Sequence, residues 1–203
     1  MKKDFTELVI IIDKSGSMYP LRDDVIGGYN SLIEKQKEDK GQTVVTTVFF
    51  NDEIDFVHGQ VDIQSLGNID RRSYNPSGCT ALLDAIGDSI AFIKSKHSLL
   101  KEEDLPEHVI FSIMTDGLEN ASREYSFRRI KGMIELQKKC GWDFIFQGAN
   151  IDVEREADNL GIDRDMAMEF KATKEGVCHQ MKMCCATIDS IKGNTKKRKP
   201  KNK

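Results

Sequence analysis

Three short stretches of the chain consist almost entirely of apolar residues, at positions 8–12, 109–114 and 144–146. Continuous apolar runs, without the alternation of a half-exposed sheet, are typical of parallel strands covered on both faces. A fourth run, at 43–50, is rich in β-branched residues and is followed by Asn-Asp and a second strand-like run at 53–59. Two strand-like runs joined in this way predict a β-hairpin, and therefore one antiparallel edge strand.

Between the strands, apolar residues recur at the spacing of amphipathic helices. The first helix is predicted from Pro20 to about Lys37, because proline suits a first helical turn. Two further helices are predicted from the apolar faces Leu82, Leu83, Ile86, Ile90, Ile93 and Phe127, Ile130, Met133, Ile134, Leu136. A short helix is predicted at 152–160, an edge strand at 166–170 and a last helix near 174–190.

The alternation of strands and helices predicts the fold class. We expect a Rossmann-like α/β fold, with a doubly wound, mostly parallel central sheet of about six strands, one antiparallel edge strand, and helices on both faces. A chain of 203 residues suits one such domain, predicted over residues 1–191. Residues 192–203 contain seven Lys or Arg residues and no acidic residue, so we expect a basic, disordered tail there.

The net charge of −3 hides an asymmetry between the domain and the tail. Without the seven basic residues of 192–203, 23 basic residues stand against 33 acidic ones, a charge of −10. A negatively charged domain is a poor match for nucleic acid. A nucleic-acid or acidic partner is therefore expected through the tail only.

The cysteine content and the hydropathy of the chain predict where in the cell the protein resides. The five cysteines are an odd number without framework spacing, which favours reduced thiols. No apolar run approaches the roughly 18 residues of a membrane helix, and no cleavage site follows the first apolar run. We therefore expect a cytoplasmic protein that does not associate with membranes.

Oxygen-bearing side chains follow two of the apolar strands directly. Asp13 ends the first strand, and the alternate positions after it, Ser15 and Ser17, carry hydroxyls. Asp116 follows a later strand, and Thr80 lies at the start of the second predicted helix. Ligands of open α/β sheets bind at the carboxyl ends of the strands, so we expect these five side chains to converge there.

A divalent cation would resolve the repulsion between two carboxylates in a partly dry crevice. Oxygen ligands without Cys or His select a hard ion, Mg²⁺ first and Mn²⁺ or Ca²⁺ next. Two carboxylates only balance the charge of such an ion, and the hydroxyls add none. One more anionic oxygen from outside is therefore favoured, and a helix N-terminus beside it adds positive potential.

The motif Asp13-x-Ser15-x-Ser17, the distant Thr80 and the later Thr115-Asp116-Gly117 resemble the metal-ion-dependent adhesion site (MIDAS) of von Willebrand factor type A (vWA) domains. The resemblance implies that the Ser and Thr hydroxyls at these positions bind the metal directly. It implies that the two Asp carboxylates bind it directly or through water, and that a Glu or Asp of a protein partner completes the shell. Cys79 departs from the pattern, since relatives usually have glycine there.

Segments 146–150 and 172–177 further resemble compact cytosolic bacterial vWA proteins, including those linked to tellurite-resistance and stress operons. The expected function is a metal-dependent protein-binding module and not an enzyme. One alternative is a phosphotransferase of the haloacid dehalogenase type, which also uses an apolar strand ending in Asp. That chemistry needs a second Asp two residues on, where this chain has Ser15. The other alternative is a metal-stabilised scaffold that binds partners through another face.

Overall fold

The sheet at the centre of the fold has six strands. A computed structural model of the chain describes residues 1–194. The strands are β1 (Lys2–Asp13), β2 (Gln42–Phe50), β3 (Ile54–Asp62), β4 (Pro106–Thr115), β5 (Asp143–Gly148) and β6 (Ala167–Glu169). Their order is β3-β2-β1-β4-β5-β6, and β3 is antiparallel to β2 while every other pair is parallel. The predicted fold class, with its antiparallel edge strand, is confirmed.

Within the described residues, five α-helices connect and cover the strands: α1 (Arg22–Lys37), α2 (Leu82–His97), α3 (Phe127–Lys139), α4 (Val153–Leu160) and α5 (Lys174–Asn194). Two details differ from the sequence prediction. Pro20 lies in a 3₁₀ turn, Gly16–Leu21, that precedes α1, so the α-helix begins at Arg22. Leu136 is 52% exposed, because it lies two positions beyond the buried Ile134, and neighbours two apart do not share a helix face.

The apolar runs are continuous because β1, β4 and β5 are covered on both sides. Leu8, Ile10 and Ile12 pack into one core cluster with α1 and α5. Val9 and Ile11 pack into a second cluster with α2, α3 and α4. Successive side chains of a strand point to opposite faces, so both sets of positions must be apolar.

The last helix extends further than predicted. α5 continues to Asn194, so its end overlaps the segment 192–203 that was predicted to be disordered. Lys192 Nζ donates to Gln36 Oε1 at 2.7 Å and contacts Asp39 Oδ2 at 3.1 Å, which ties this end of α5 to the end of α1. The rest of the predicted tail, residues 195–203, lies outside the described residues.

All five cysteines belong to the described part of the chain, and each is a free thiol. Cys184 and Cys185, both on α5, are buried, whereas the other three are exposed. Within residues 1–194, no helix combines the length and apolar character required to cross a membrane.

Candidate metal centre

The carboxyl ends of β1 and β4 bring the two predicted carboxylates together. These strands are parallel neighbours in the middle of the sheet, and Ile12 pairs with Met114. Asp13 and Asp116, which follow those two positions closely, therefore lie at the same edge of the sheet. Thr80 reaches this edge from the segment that leads into α2, which begins two residues later.

Hydroxyl and carboxylate oxygens are in contact at this edge. Ser15 Oγ and Ser17 Oγ are 3.0 Å apart, and Ser17 Oγ donates a hydrogen bond to Asp116 Oδ1 at 2.5 Å. A Cβ atom built on Gly117 would lie 3.6 Å from Thr80 Oγ1 and 3.9 Å from Ser17 Oγ. These two hydroxyls therefore lie close to Gly117, next to Asp116.

Asp13 lies beneath the hydroxyls. Its carboxylate is fully buried; Oδ1 accepts from the Ser15 N–H and Oδ2 accepts from Thr115 Oγ1, both at 2.7 Å. Burial raises the pKa of Asp13 against the effect of these hydrogen bonds, and the negative charge of Asp116 raises it further. Asp13 thus fixes the start of the loop that carries Ser15 and Ser17.

Asp116 is also desolvated. Burial raises the pKa of its carboxyl group, and the hydrogen bond from Ser17 opposes that increase. Two carboxylates that burial destabilises in their charged form make a site that a cation would stabilise.

Tyr74 supports the same loop from below. Its hydroxyl donates to the backbone carbonyl of Asp13 at 2.7 Å, and its ring meets Phe49 edge-on at a centroid distance of 5.1 Å. The side chain is completely buried, and burial raises its pKa well above the usual value. This role of Tyr74 was not predicted from the sequence, because nothing local connects Tyr74 with a position 61 residues earlier.

The turn between β2 and β3 supports the loop that carries Thr80. The Asn51 side-chain amide donates to the carbonyl of Ser77, and the Asn51 carbonyl accepts from the N–H of Ala81, both at 2.8 Å. Asp52 Oδ2 accepts from the N–H of Cys79 at 3.0 Å. The sequence predicted this turn as a hairpin connection and gave no sign of its second role.

The segment after Asp116 holds Thr80 from the other side. The N–H groups of Asn120 and Ala121 donate to the carbonyl of Thr80, and Asn120 Oδ1 accepts from the Thr80 N–H. Glu119 Oε2 accepts from the N–H of Leu83, in the first turn of α2. The roles of Glu119 and Asn120 were likewise not predicted from the sequence.

The chemistry of the donors fits a hard divalent ion. In the described residues, no group of three or more His, Cys, Asp or Glu side chains is placed to hold a metal. The candidate site instead combines two carboxylates with three hydroxyls, from Ser15, Ser17 and Thr80, and all five predicted side chains come to one edge of the sheet. Oxygen ligands of this kind suit Mg²⁺, Mn²⁺ or Ca²⁺.

Comparison with known proteins identifies the fold. No family model matches the chain, and no curated protein matches it. The vWF domain of the type V pili tip protein Mfa5 from Porphyromonas gingivalis superposes with a TM-score of 0.67 and 11% identity, covering 91% of this chain and 95% of that chain. Manganese-loaded TRAP protein of Plasmodium vivax matches with a TM-score of 0.60 and 19% identity, covering 94% and 74%.

A structure of proximal thread matrix protein 1 from the mussel byssus, described as having a zinc-occupied MIDAS motif, matches with a TM-score of 0.59 and 16% identity, covering 95% of this chain and 46% of that chain. The chain spans between 46% and 64% of the length of several of the structures it matches. These similarities show that the chain has the fold of a vWA domain, as the sequence motifs predicted. At such low identity they show the fold and not the activity.

Proposed function

We propose that this chain is a metal-ion-dependent protein-binding module whose MIDAS-type site recognises a carboxylate of a partner protein. The residues that would hold the ion are Asp13, Ser15, Ser17, Thr80 and Asp116. The expected ion is Mg²⁺, with Mn²⁺ or Ca²⁺ as substitutes. When bound, the ion supplies a coordination position at which an acidic side chain replaces water.

The observation that carries this proposal is the linked set of donors at the carboxyl ends of β1 and β4. Ser17 is exposed and joins Ser15 to Asp116 through its hydroxyl, while Asp13 is buried beneath them. The layering gives the side chains different roles: the buried Asp13 carboxylate orders the loop, and the exposed Ser17 hydroxyl opens the nearly buried Ser15 and Asp116 oxygen atoms to the surface.

Charge balance supports an acidic partner. Asp13 and Asp116 together carry two negative charges, which equal the charge of one divalent ion, and the hydroxyls carry none. With the ion bound, the site would carry no net negative charge, so it would not repel an acidic side chain of a partner. The N-terminal end of α2, at Leu82, lies two residues from Thr80 and adds positive potential.

The structural neighbours agree with this type of module. They include a pilus tip protein and proteins described as manganese-loaded or as having a zinc-occupied MIDAS motif. Those metals and roles belong to the neighbours, and we extend them to this chain by analogy of fold together with the matching donor set.

The proposal assigns no catalytic role to Asp13. Both of its carboxylate oxygens accept hydrogen bonds, and its side chain is fully buried, so it is poorly placed to attack a phosphoryl group. The residue two positions later is Ser15, which cannot act as the general acid of a phosphotransferase.

We expect the purified protein with Mg²⁺ to show no turnover of an aryl phosphate. Turnover that Asp13→Asn abolishes would favour the phosphotransferase alternative instead.

A peptide display experiment tests the proposed recognition of carboxylates. A random-sequence peptide library is panned on the immobilised protein in Mg²⁺ and eluted with EDTA. We expect every enriched peptide to depend on one Glu or Asp, because the ion needs an anionic oxygen.

We expect Thr80→Ala to weaken peptide binding about tenfold or more, through loss of one hydroxyl. The matched control is Thr187→Ala, a partly buried threonine whose hydroxyl donates to the Met183 carbonyl of the same helix, α5.

Two results of the display experiment would contradict the proposal. One is enrichment of peptides that bind equally in EDTA, which would favour the scaffold alternative. The other is unchanged affinity when the acidic residue of an enriched peptide is replaced by its amide.

A further inference from the structure

The backbone of Thr80 is held at both of its polar groups by the segment that follows Asp116. Its N–H donates to Oδ1 of Asn120 at 2.9 Å. Its carbonyl oxygen accepts from the N–H groups of Asn120 and Ala121, at 3.1 and 3.2 Å. Asn120 thus bonds to the Thr80 N–H with its side chain and to the Thr80 carbonyl with its backbone.

Two further hydrogen bonds join the same segments. Glu119 Oε2 accepts from the N–H of Leu83 at 2.9 Å, and Ser122 Oγ accepts from the N–H of Asp84 at 3.1 Å. The carboxylate of Glu119 also accepts from the N–H groups of Ala121 and Ser122, so it orders its own loop while it contacts the first turn of α2. A carboxylate at a helix N-terminus is favourable with respect to the helix dipole.

These bonds connect two loops that carry different members of the candidate metal centre. Thr80 belongs to the segment before α2, and Asp116 belongs to the segment after β4. Without the connection, the Thr80 N–H would turn to water and the threonine could adopt more conformations. Ordering it again when a metal binds would cost conformational entropy.

We propose that Asn120 is a positioning residue for the metal centre, which rests on the proposed function of that centre. Through its side-chain oxygen it holds the Thr80 N–H, fixes the Thr80 hydroxyl relative to Asp116, and so sets the affinity for the ion. Removal of a group that orients a metal ligand by hydrogen bonding typically weakens metal affinity 10- to 100-fold. Asn120 is exposed, so this role does not depend on burial in the core.

The experiment compares three variants of the full chain. Asn120→Leu removes the acceptor and keeps the size of the side chain, and Asn120→Asp keeps an oxygen at the same position. Asn159→Ala, an exposed asparagine on α4, is the matched control. Two measurements are made: Mn²⁺ affinity by calorimetry, and amide hydrogen exchange at Thr80 in EDTA, which reports on the hydrogen bond without any metal.

We expect Asn120→Leu to weaken Mn²⁺ binding by about 10- to 100-fold. We also expect faster exchange of the Thr80 amide in this variant, because its acceptor has gone. Asn120→Asp should retain amide protection and bind Mn²⁺ at least as tightly as wild type, and Asn159→Ala should match wild type in both measurements. If the leucine variant does not fold, Asn120→Ala takes its place, since it exposes no larger apolar side chain.

Three outcomes overturn the positioning role of Asn120 and leave the proposed function standing. These are unchanged Mn²⁺ affinity in Asn120→Leu, unchanged exchange of the Thr80 amide in that variant, and an equal loss of affinity in Asn120→Asp. A wild-type protein that does not bind Mn²⁺ overturns the proposed function itself. The two failures are therefore distinguishable.

Discussion

The double variant Asp13→Ala/Asp116→Ala is expected to lose Mn²⁺ binding almost completely, by about 100-fold or more in affinity. Both carboxylates lie at the carboxyl ends of neighbouring strands, and they supply all the negative charge of the candidate centre. Removing them leaves three neutral hydroxyls, which cannot offset the loss of water from a divalent ion. Isothermal titration calorimetry with Mn²⁺ measures the change.

The control for the double variant must remove the same charge elsewhere. Glu103→Ala/Asp104→Ala does so, since both residues are exposed in the 3₁₀ turn that precedes β4, at the opposite end of that strand. We expect this control to bind Mn²⁺ like wild type. If the two double variants bind equally well, the ion is held by general negative charge or at another site, and the assignment of Asp13 and Asp116 is wrong.

Gly78→Ala is expected to destabilise the domain by about 1–3 kcal/mol and to weaken metal binding with it. Gly78 has a φ of +80°, a conformation that residues with a Cβ rarely adopt, and a Cβ there would lie 2.1 Å from Asp52 Oδ2. The substitution therefore forces Asp52 away from the N–H of Cys79. Because Cys79 precedes Thr80, the change displaces the backbone next to a proposed metal ligand.

Gly67→Ala is the matched control for this prediction, because Gly67 is exposed and no atom lies within 4 Å of a Cβ built there. Urea denaturation in EDTA gives the unfolding free energy of each variant, and titration with Mn²⁺ gives the affinity. An unfolding free energy for Gly78→Ala that equals that of Gly67→Ala would show that the left-handed turn is not required.

Local patterns predicted the fold because the sheet is buried on both faces. The continuous apolar runs of β1, β4 and β5 are typical of strands buried on both faces. The Asn51-Asp52 sequence between β2 and β3 is typical of a hairpin turn. The end of α5 was harder to place. The apolar stripe predicted an end near residue 190, but the helix continues to Asn194, and contacts of Lys192 with Gln36 and Asp39 accompany its last turn.

The donors of the candidate metal centre were predictable where they come directly after a strand. Asp13 and Asp116 directly follow predicted strands, and the hydroxyls of Ser15 and Ser17 follow from the spacing of the first loop. The residues that orient them were not predictable, because Tyr74 and Asn120 act through hydrogen bonds to backbone atoms of distant segments. Such bonds require only a suitable side chain at the right place in space, and they leave no local pattern in the sequence.

The most direct test of the metal centre is an anomalous diffraction map from crystals of the wild-type protein grown with Mn²⁺. We predict one strong anomalous peak at the edge of the sheet where β1 and β4 end, within coordination distance of Ser15, Ser17 and Thr80 hydroxyls or of an Asp116 carboxylate oxygen. An anomalous map with no peak among these side chains, or with its strong peak elsewhere on the molecule, would contradict the central claim.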